Sequence, residues 1–101
     1  DPDFWVRRSA VDALGQLGAV EAIPGLLKAL EDQDADVRVN AVVTLSQLNY
    51  VEAVPELLKA LEDSDYFVRR RAVEALGYLV IWLSGFLGFW LSVNLVYQIG
   101  R

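Results

Sequence analysis

The chain contains no cysteine, no histidine and no methionine. Without cysteine, disulfides and thiolate chemistry are excluded. Without histidine, the chain lacks the commonest transition-metal ligand and the commonest general base, so Ser/His/Asp and Cys/His catalytic arrangements are excluded too. A glycine-rich phosphate loop is also absent. The sequence therefore predicts no catalytic residue, no metal site and no cofactor.

Charge is missing from one part of the chain. Residues 79–99 hold no charged side chain, whereas residues 1–78 hold 8 basic and 14 acidic residues, a net charge of −6. An acidic surface repels phosphates, so we expect no nucleic acid partner. With 101 residues the chain has room for one domain at most.

What the sequence does have is a repeat of 31 residues. Residues 3–33 and 34–64 are identical at 19 of 31 positions, and residues 65–79 match 3–17 at 10 of 15. Residues 80–95 match neither earlier copy at any position. The pattern predicts two full units and a partial third (65–79), so that a repeat array over 1–78 is followed by a different segment over 79–99.

Each unit contains two helical patterns. The first, helix A, has apolar residues at i, i+4, i+8 and i+11, and the second, helix B, starts with a proline, which fits a first helical turn. The A-helix residues are Val6, Ala10, Leu14 and Leu17; Val37, Ala41, Leu45 and Leu48; and Val68, Ala72, Leu76 and Leu79. The B-helix residues are Ile23, Leu26, Leu27 and Leu30, and Val54, Leu57, Leu58 and Leu61. Glycine or asparagine at positions 15, 18 and 49 is expected to loosen the turn between A and B.

An aspartate precedes each A helix and stands four residues before an arginine. This spacing predicts a helix cap and a structural ion pair that recur up the stack. An anion or substrate site formed by the stacked arginines is the alternative. The pairs are Asp3 and Arg7, Asp34 and Arg38, and Asp65 and Arg69.

The repeated motif reads Asp-x-x-Val-Arg-x-x-Ala-x-x-Ala-Leu-Gly-x-Leu-Gly, followed by Ala-Ile-Pro-x-Leu-Leu-x-Ala-Leu-Glu-Asp. It resembles the HEAT-like repeat of the phycobilisome-lyase type over residues 3–79. The second unit departs from it at Thr44, Ser46 and Asn49. The resemblance implies an α-solenoid of helical hairpins. It also implies either a protein-binding scaffold or a bilin lyase-like subunit that acts on phycobiliproteins.

Two smaller motifs have structural and functional interpretations. The loop from Asp32 to Asp36 supplies the first three carboxylates of a calcium loop, but Val37 and Val43 stand where glycine and glutamate are needed, so capping explains it better. Aromatic pairs begin the first and third A helices. We expect Phe4 and Phe67 to pack, while Trp5 and Tyr66 are candidate partner contacts.

The uncharged tail is apolar on every side. Leucine recurs at every fourth position from Leu79 to Leu95, and most positions between are apolar. A helix of this kind is buried or lies in lipid, and at ~1.5 Å per residue it reaches about 30 Å, the thickness of a bilayer core. A terminal B helix, burial in another subunit, and a tail produced by gene fragmentation or a change of reading frame are the alternatives. Ser84, Gly88 and Ser92 would let a second membrane helix approach closely.

The flanks of the tail suggest an orientation. Arg69, Arg70 and Arg71 precede it and favour a cytoplasmic position for the array, with contacts to lipid headgroups as a further role. Tyr78 and Trp82 would mark one membrane interface and Tyr97 the other.

The sequence thus predicts an all-α protein, an α-solenoid followed by a C-terminal transmembrane helix. Its expected function is to bind a protein partner on the repeat surface while the tail holds it at a membrane or against an apolar subunit. A small subunit of a membrane complex is a further alternative. Because repeat arrays generally need about three units, we expect more repeats upstream or a partner complex.

Overall fold

The computed structural model describes residues 3–18 and 20–100 and is helical, with no strand among these residues. Five α-helices occur in the order α1 (Phe4–Leu17), α2 (Ile23–Ala29), α3 (Ala35–Gln47), α4 (Val54–Ala60) and α5 (Tyr66–Gly100). Short 3-10 turns, Val20–Ala22 and Val51–Ala53, precede α2 and α4. The A helices are thus α1, α3 and the start of α5, and the B helices are α2 and α4, as the repeat predicts.

The A helices form one row. Helix α3 contacts α1 on one side and α5 on the other, while α2 lies against α1 and α3, and α4 lies against α5. The core runs along this row, and it contains the fully buried Leu26, Leu45, Leu57 and Leu79. This arrangement confirms an α-solenoid of helical hairpins.

The predicted A-helix face is buried in the second and third units but not in the first. Val37 and Val68 are each 1% exposed, whereas the equivalent Val6 is 49% exposed. Leu17 is exposed as well, and in α1 the buried residue is Val11. These side chains of α1 are exposed because, among the described residues, no earlier unit packs against that side of the helix.

The turns between A and B helices depend on two residues with positive φ. Gly18 has φ 61° and Asn49, its equivalent in the second unit, has φ 54°. These values confirm the expected role of both residues, since glycine and asparagine tolerate the left-handed region best. Gly15 acts differently from expectation. It lies within α1, and a Cβ there would come 2.6 Å from Thr44 Cγ2 on α3, so glycine allows the two helices to pack closely.

The third unit has no such turn. Position 80, which corresponds to Gly18 and Asn49, is Val80, and a β-branched residue strongly disfavours positive φ. Position 86, where a B helix would have its proline, is Phe86. Helix α5 therefore continues through both positions to Gly100 as a single helix of 35 residues. The alternative of a third B helix after Leu79 does not agree with this continuous helix.

Neighbouring leucines in α4 give a direct test of the core. Leu57 is fully buried, whereas Leu58, which we expected on the same face, is 51% exposed. We predict that Leu57→Ala lowers the free energy of unfolding by about 2–5 kcal/mol because it leaves a cavity, while Leu58→Ala lowers it by less than about 1 kcal/mol. Urea unfolding of the array, followed by far-ultraviolet circular dichroism, measures both. Equal losses in the two variants would contradict this packing.

Candidate functional site

The three repeated aspartates cap their helices as predicted. The Asp3 side chain accepts a hydrogen bond from the Trp5 amide at 2.9 Å. Asp34 Oδ1 accepts from the amides of Asp36 and Val37, and Asp65 Oδ1 accepts from those of Phe67 and Val68. Each carboxylate thus satisfies backbone donors that have no partner within the helix.

Arg7 and Arg38 each form an ion pair with the aspartate that follows the B helix of the same unit. Arg7 Nε lies 2.8 Å from Asp32 Oδ2, and Arg38 Nε lies 2.9 Å from Asp63 Oδ2. In both pairs the NH2 group also bonds the second carboxylate oxygen, so the contact is bidentate. Asp32 and Asp63 also accept one backbone amide each, from Asp34 and Asp65.

A second contact from each arginine runs to the loop before its own helix. Arg38 NH1 donates to the Asp32 backbone oxygen, and Arg69 NH1 donates to that of Asp63, each at 2.7 Å. Arg38 therefore connects two successive loops. We call this series of arginines and loop aspartates the ladder. Among the described residues Arg69 has no carboxylate partner, so the ladder ends with an incomplete step.

Sequence reasoning missed Asp32 and Asp63 as ladder members, although a signal was present. Both follow a B helix at the same position of the repeat, and each comes 25 residues after its arginine. The acidic loop that resembled a calcium site is used here instead. Asp32 pairs with Arg7, and Asp34 is a cap. The described residues contain no cluster of three or more metal-ligating side chains.

The pKa values of the two ladder carboxyls, Asp32 and Asp63, are lowered. Burial by itself would raise the pKa of Asp32, but hydrogen bonds from Arg7 and the Asp34 amide, and the charges of Arg7 and Arg38, outweigh it, so the net pKa is lowered. The pKa of Asp63 is lowered in the same way by Arg38, the Asp65 amide and Arg69. Both carboxylates are thus held in the charged form.

The candidate partner contacts are accessible. Trp5 and Tyr66 are each 59% exposed. Phe4 packs against the core as expected, but Phe67 is 58% exposed, so the packing expected there is wrong. The Arg69 guanidinium lies 6.0 Å from the centre of the Tyr66 ring, within the range of a cation–π contact.

The predicted juxtamembrane arginines differ in their surroundings. Arg70 and Arg71 are exposed and share one acidic neighbour, Glu74, at 3.6 Å and 3.2 Å. Exposed pairs of this kind contribute about 0–1 kcal/mol to stability. Their side chains are therefore available for other contacts, whereas Arg69 is half-buried in the ladder.

The part of α5 after Leu79 is exposed on all sides. All its large apolar side chains from Val80 to Ile99 are exposed, and Ser84, Gly88 and Ser92 lie open on the surface. Within the described structure α5 is the helix that is long and apolar enough to cross a membrane, judged by length and composition. Its most apolar window of 18 residues has a mean hydropathy of 1.9 and is 6% buried.

The comparison with known proteins agrees with this architecture. The family model for HEAT repeats matches residues 1–77. The chain therefore belongs to the HEAT repeat family, whose repeats generally mediate protein–protein interactions. A comparison with curated proteins finds no match to this chain.

The ladder predicts a stability that depends on pH. A carboxyl whose pKa is lower in the folded state contributes stability above its unfolded value, near 3.8, and this contribution disappears as pH falls through the folded pKa. We predict that the free energy of unfolding decreases below about pH 4, and that Asp63→Asn lowers it by about 1–3 kcal/mol at about pH 7.

Urea titrations over this pH range measure both effects. In Asp63→Asn the acid-dependent decrease should be smaller, because one of the two ladder carboxyls no longer titrates. Glu62→Gln is the matched control, since Glu62 is the exposed acidic neighbour. If the two variants have the same stability and pH dependence, the ladder does not stabilise the array.

Proposed function

We propose that this protein is a protein-binding scaffold of HEAT repeats that is anchored in a membrane by the second half of α5. The observation that carries the proposal is the continuity of this helix. Its first half is part of the array, with Val68, Ala72 and Leu79 buried, and its second half leaves the array with every apolar side chain exposed.

The exposed apolar surface needs a non-aqueous environment. Contiguous apolar patches on soluble monomers rarely exceed a few hundred Å², because larger ones cause association. The apolar tail of residues 79–99 is 21 residues long, which at ~1.5 Å per residue gives about 31 Å, close to the thickness of a bilayer core. A single membrane span fits both the composition and the length of this segment.

Polar side chains in the tail are compatible with lipid. Ser92 Oγ donates to the Gly88 oxygen at 2.9 Å, and Asn94 Nδ2 donates to the Trp90 oxygen at 3.1 Å. Such bonds to the helix backbone reduce the free-energy cost of placing a hydroxyl or amide in hydrocarbon, where water cannot supply a partner.

The charges and aromatic residues favour one orientation. Arg69, Arg70 and Arg71 lie about two to three turns before the apolar run, which favours a cytoplasmic array. Tyr78 and Trp82 would lie at the near interface and Tyr97 at the far one. The exposed Arg70 and Arg71 are then close enough to the membrane surface to contact anionic headgroups.

A role as a small subunit of a membrane complex is the second candidate. Ser84, Gly88 and Ser92 follow each other at intervals of four residues and are exposed, so a second membrane helix would meet little steric obstruction there. The bilin lyase-like activity rests on the resemblance of the repeat and stays a prediction. Absorption spectra after mixing with a bilin would test it.

A charge in the middle of the tail tests the membrane anchor. Phe89 is 71% exposed and lies at the centre of residues 79–99. We predict that Phe89→Arg reduces the membrane fraction that resists alkaline extraction, since an arginine at the bilayer centre costs about 2.5–3.5 kcal/mol. Val20→Arg, at an 80% exposed site of the array, should leave this fraction unchanged. A wild-type chain that stays monomeric in plain buffer at high concentration would contradict the anchor.

The orientation can be measured because the chain has no cysteine of its own. We predict that Gly100→Cys in intact cells reacts with a membrane-impermeant maleimide, since it lies beyond the span. Gln16→Cys, at an exposed site of α1, should react only after the cells are opened. The reverse labelling pattern would place the array on the other side of the membrane.

A further inference from the structure

One face of the A helix is buried in the first two units and exposed in the third. Val11 and Val42 occupy equivalent positions in α1 and α3, are 3% and 0% exposed, and belong to the core. Their equivalent in α5 is Val73, which is 60% exposed. The face that meets the following helices in the first two units is thus uncovered in the third.

The ladder is incomplete at the same face. In Arg38 all three guanidinium nitrogens are used: NH1 bonds the preceding loop, and Nε and NH2 bond the Asp63 carboxylate. Arg69 makes the first of these contacts, to the Asp63 backbone oxygen, and among the described residues no carboxylate occupies the place beside its other two nitrogens. An oriented guanidinium therefore lies open beside Val73.

An aromatic side chain completes the uncovered surface. Phe4 packs against the core, whereas its equivalent, Tyr66, is 59% exposed and lies beside Arg69. Tyr66, Arg69, Arg70, Val73 and Glu74 together line an open groove on α5. We call this surface the α5 groove.

The chain's own helices do not supply the missing contact. Helices α2 and α4 are fixed in the array through the buried Leu26 and Leu57, and the part of α5 after Leu79 continues straight on. Residues 79–99 also contain no carboxylate. None of these described segments is therefore the occupant.

We propose that the α5 groove binds an amphipathic helix of another protein, one that ends in an aspartate or glutamate just after its last turn. The template for the carboxylate contact is within the chain, where Asp63, shortly after α4, binds Nε and NH2 of Arg38. The apolar side of the partner helix covers Val73 and Tyr66, and its carboxylate binds Nε and NH2 of Arg69. A bidentate arginine–carboxylate contact adds specificity as well as affinity.

A lipid headgroup is a less suitable occupant of the groove. Tyr66 and Val73 give the groove an exposed apolar surface beside Arg69, which suits the apolar face of a helix better than a polar headgroup. The inference rests on the proposed scaffold role and specifies its binding surface. It does not depend on the tail being in a membrane, so the two proposals fail separately.

A peptide with the sequence of residues 51–64, which contains α4 and Asp63, is the probe. Its binding to the full chain in maltoside micelles is followed by fluorescence anisotropy. We expect saturable binding that becomes ~10-fold weaker with Asp63→Asn in the peptide or Arg69→Gln in the chain. Combining both substitutions should cost little more than either one alone, because they remove the same contact.

Two surface variants provide the matched controls. Val73→Glu should abolish binding without unfolding the array, since this side chain is already exposed, and Val20→Glu should leave binding unchanged. Circular dichroism checks that each variant folds. Absence of saturable binding overturns the proposal, and so does binding that is insensitive to Arg69 and Val73 or that appears only with anionic vesicles.

Discussion

The backbone conformation of one position per repeat determines the shape of this molecule. At Gly18 and Asn49 the chain enters the left-handed region, the A helix ends, and a B helix can fold back. At Val80 the β-branched side chain disfavours that conformation, so α5 extends well beyond the array. Within the described residues, the exposed apolar surface, the uncovered groove and the lack of a carboxylate beside Arg69 all result from this one missing turn.

The ladder and the apolar row have different roles in the array. Burial of residues such as Leu45 and Val68 supplies most of the stabilisation, because the hydrophobic effect dominates folding. The arginine–aspartate pairs fix the loop after each B helix against the A helix of the same unit, since their bidentate geometry allows little variation. Arg38 and Arg69 also donate to the backbone of the preceding unit, and these bonds are contacts between neighbouring units, as repeat architectures require.

Much of the fold could be predicted from the sequence because the same residue types recur at equivalent positions of successive units. Helix types, cap aspartates and the positive φ of Gly18 and Asn49 follow from local chemistry, which a period of 31 residues makes visible. The arginine partners could not be identified by spacing within a helix. Asp32 and Asp63 are brought near their arginines when the two helices of a unit fold against each other, so their role depends on tertiary structure. The exposure of Phe67 and Leu58 likewise depends on which neighbours are present.

A distance across Val80 tests the central claim most directly. Spin labels at Arg70→Cys and Val96→Cys, both exposed positions, lie on the same helix if α5 is continuous. The 26 residues between them then give a backbone separation of about 39 Å at ~1.5 Å per residue. Pulsed electron paramagnetic resonance should show a single narrow distribution near this value. A separation below about 20 Å would mean that the chain folds back after Leu79 as a third hairpin, which would contradict the exposed tail and the open α5 groove.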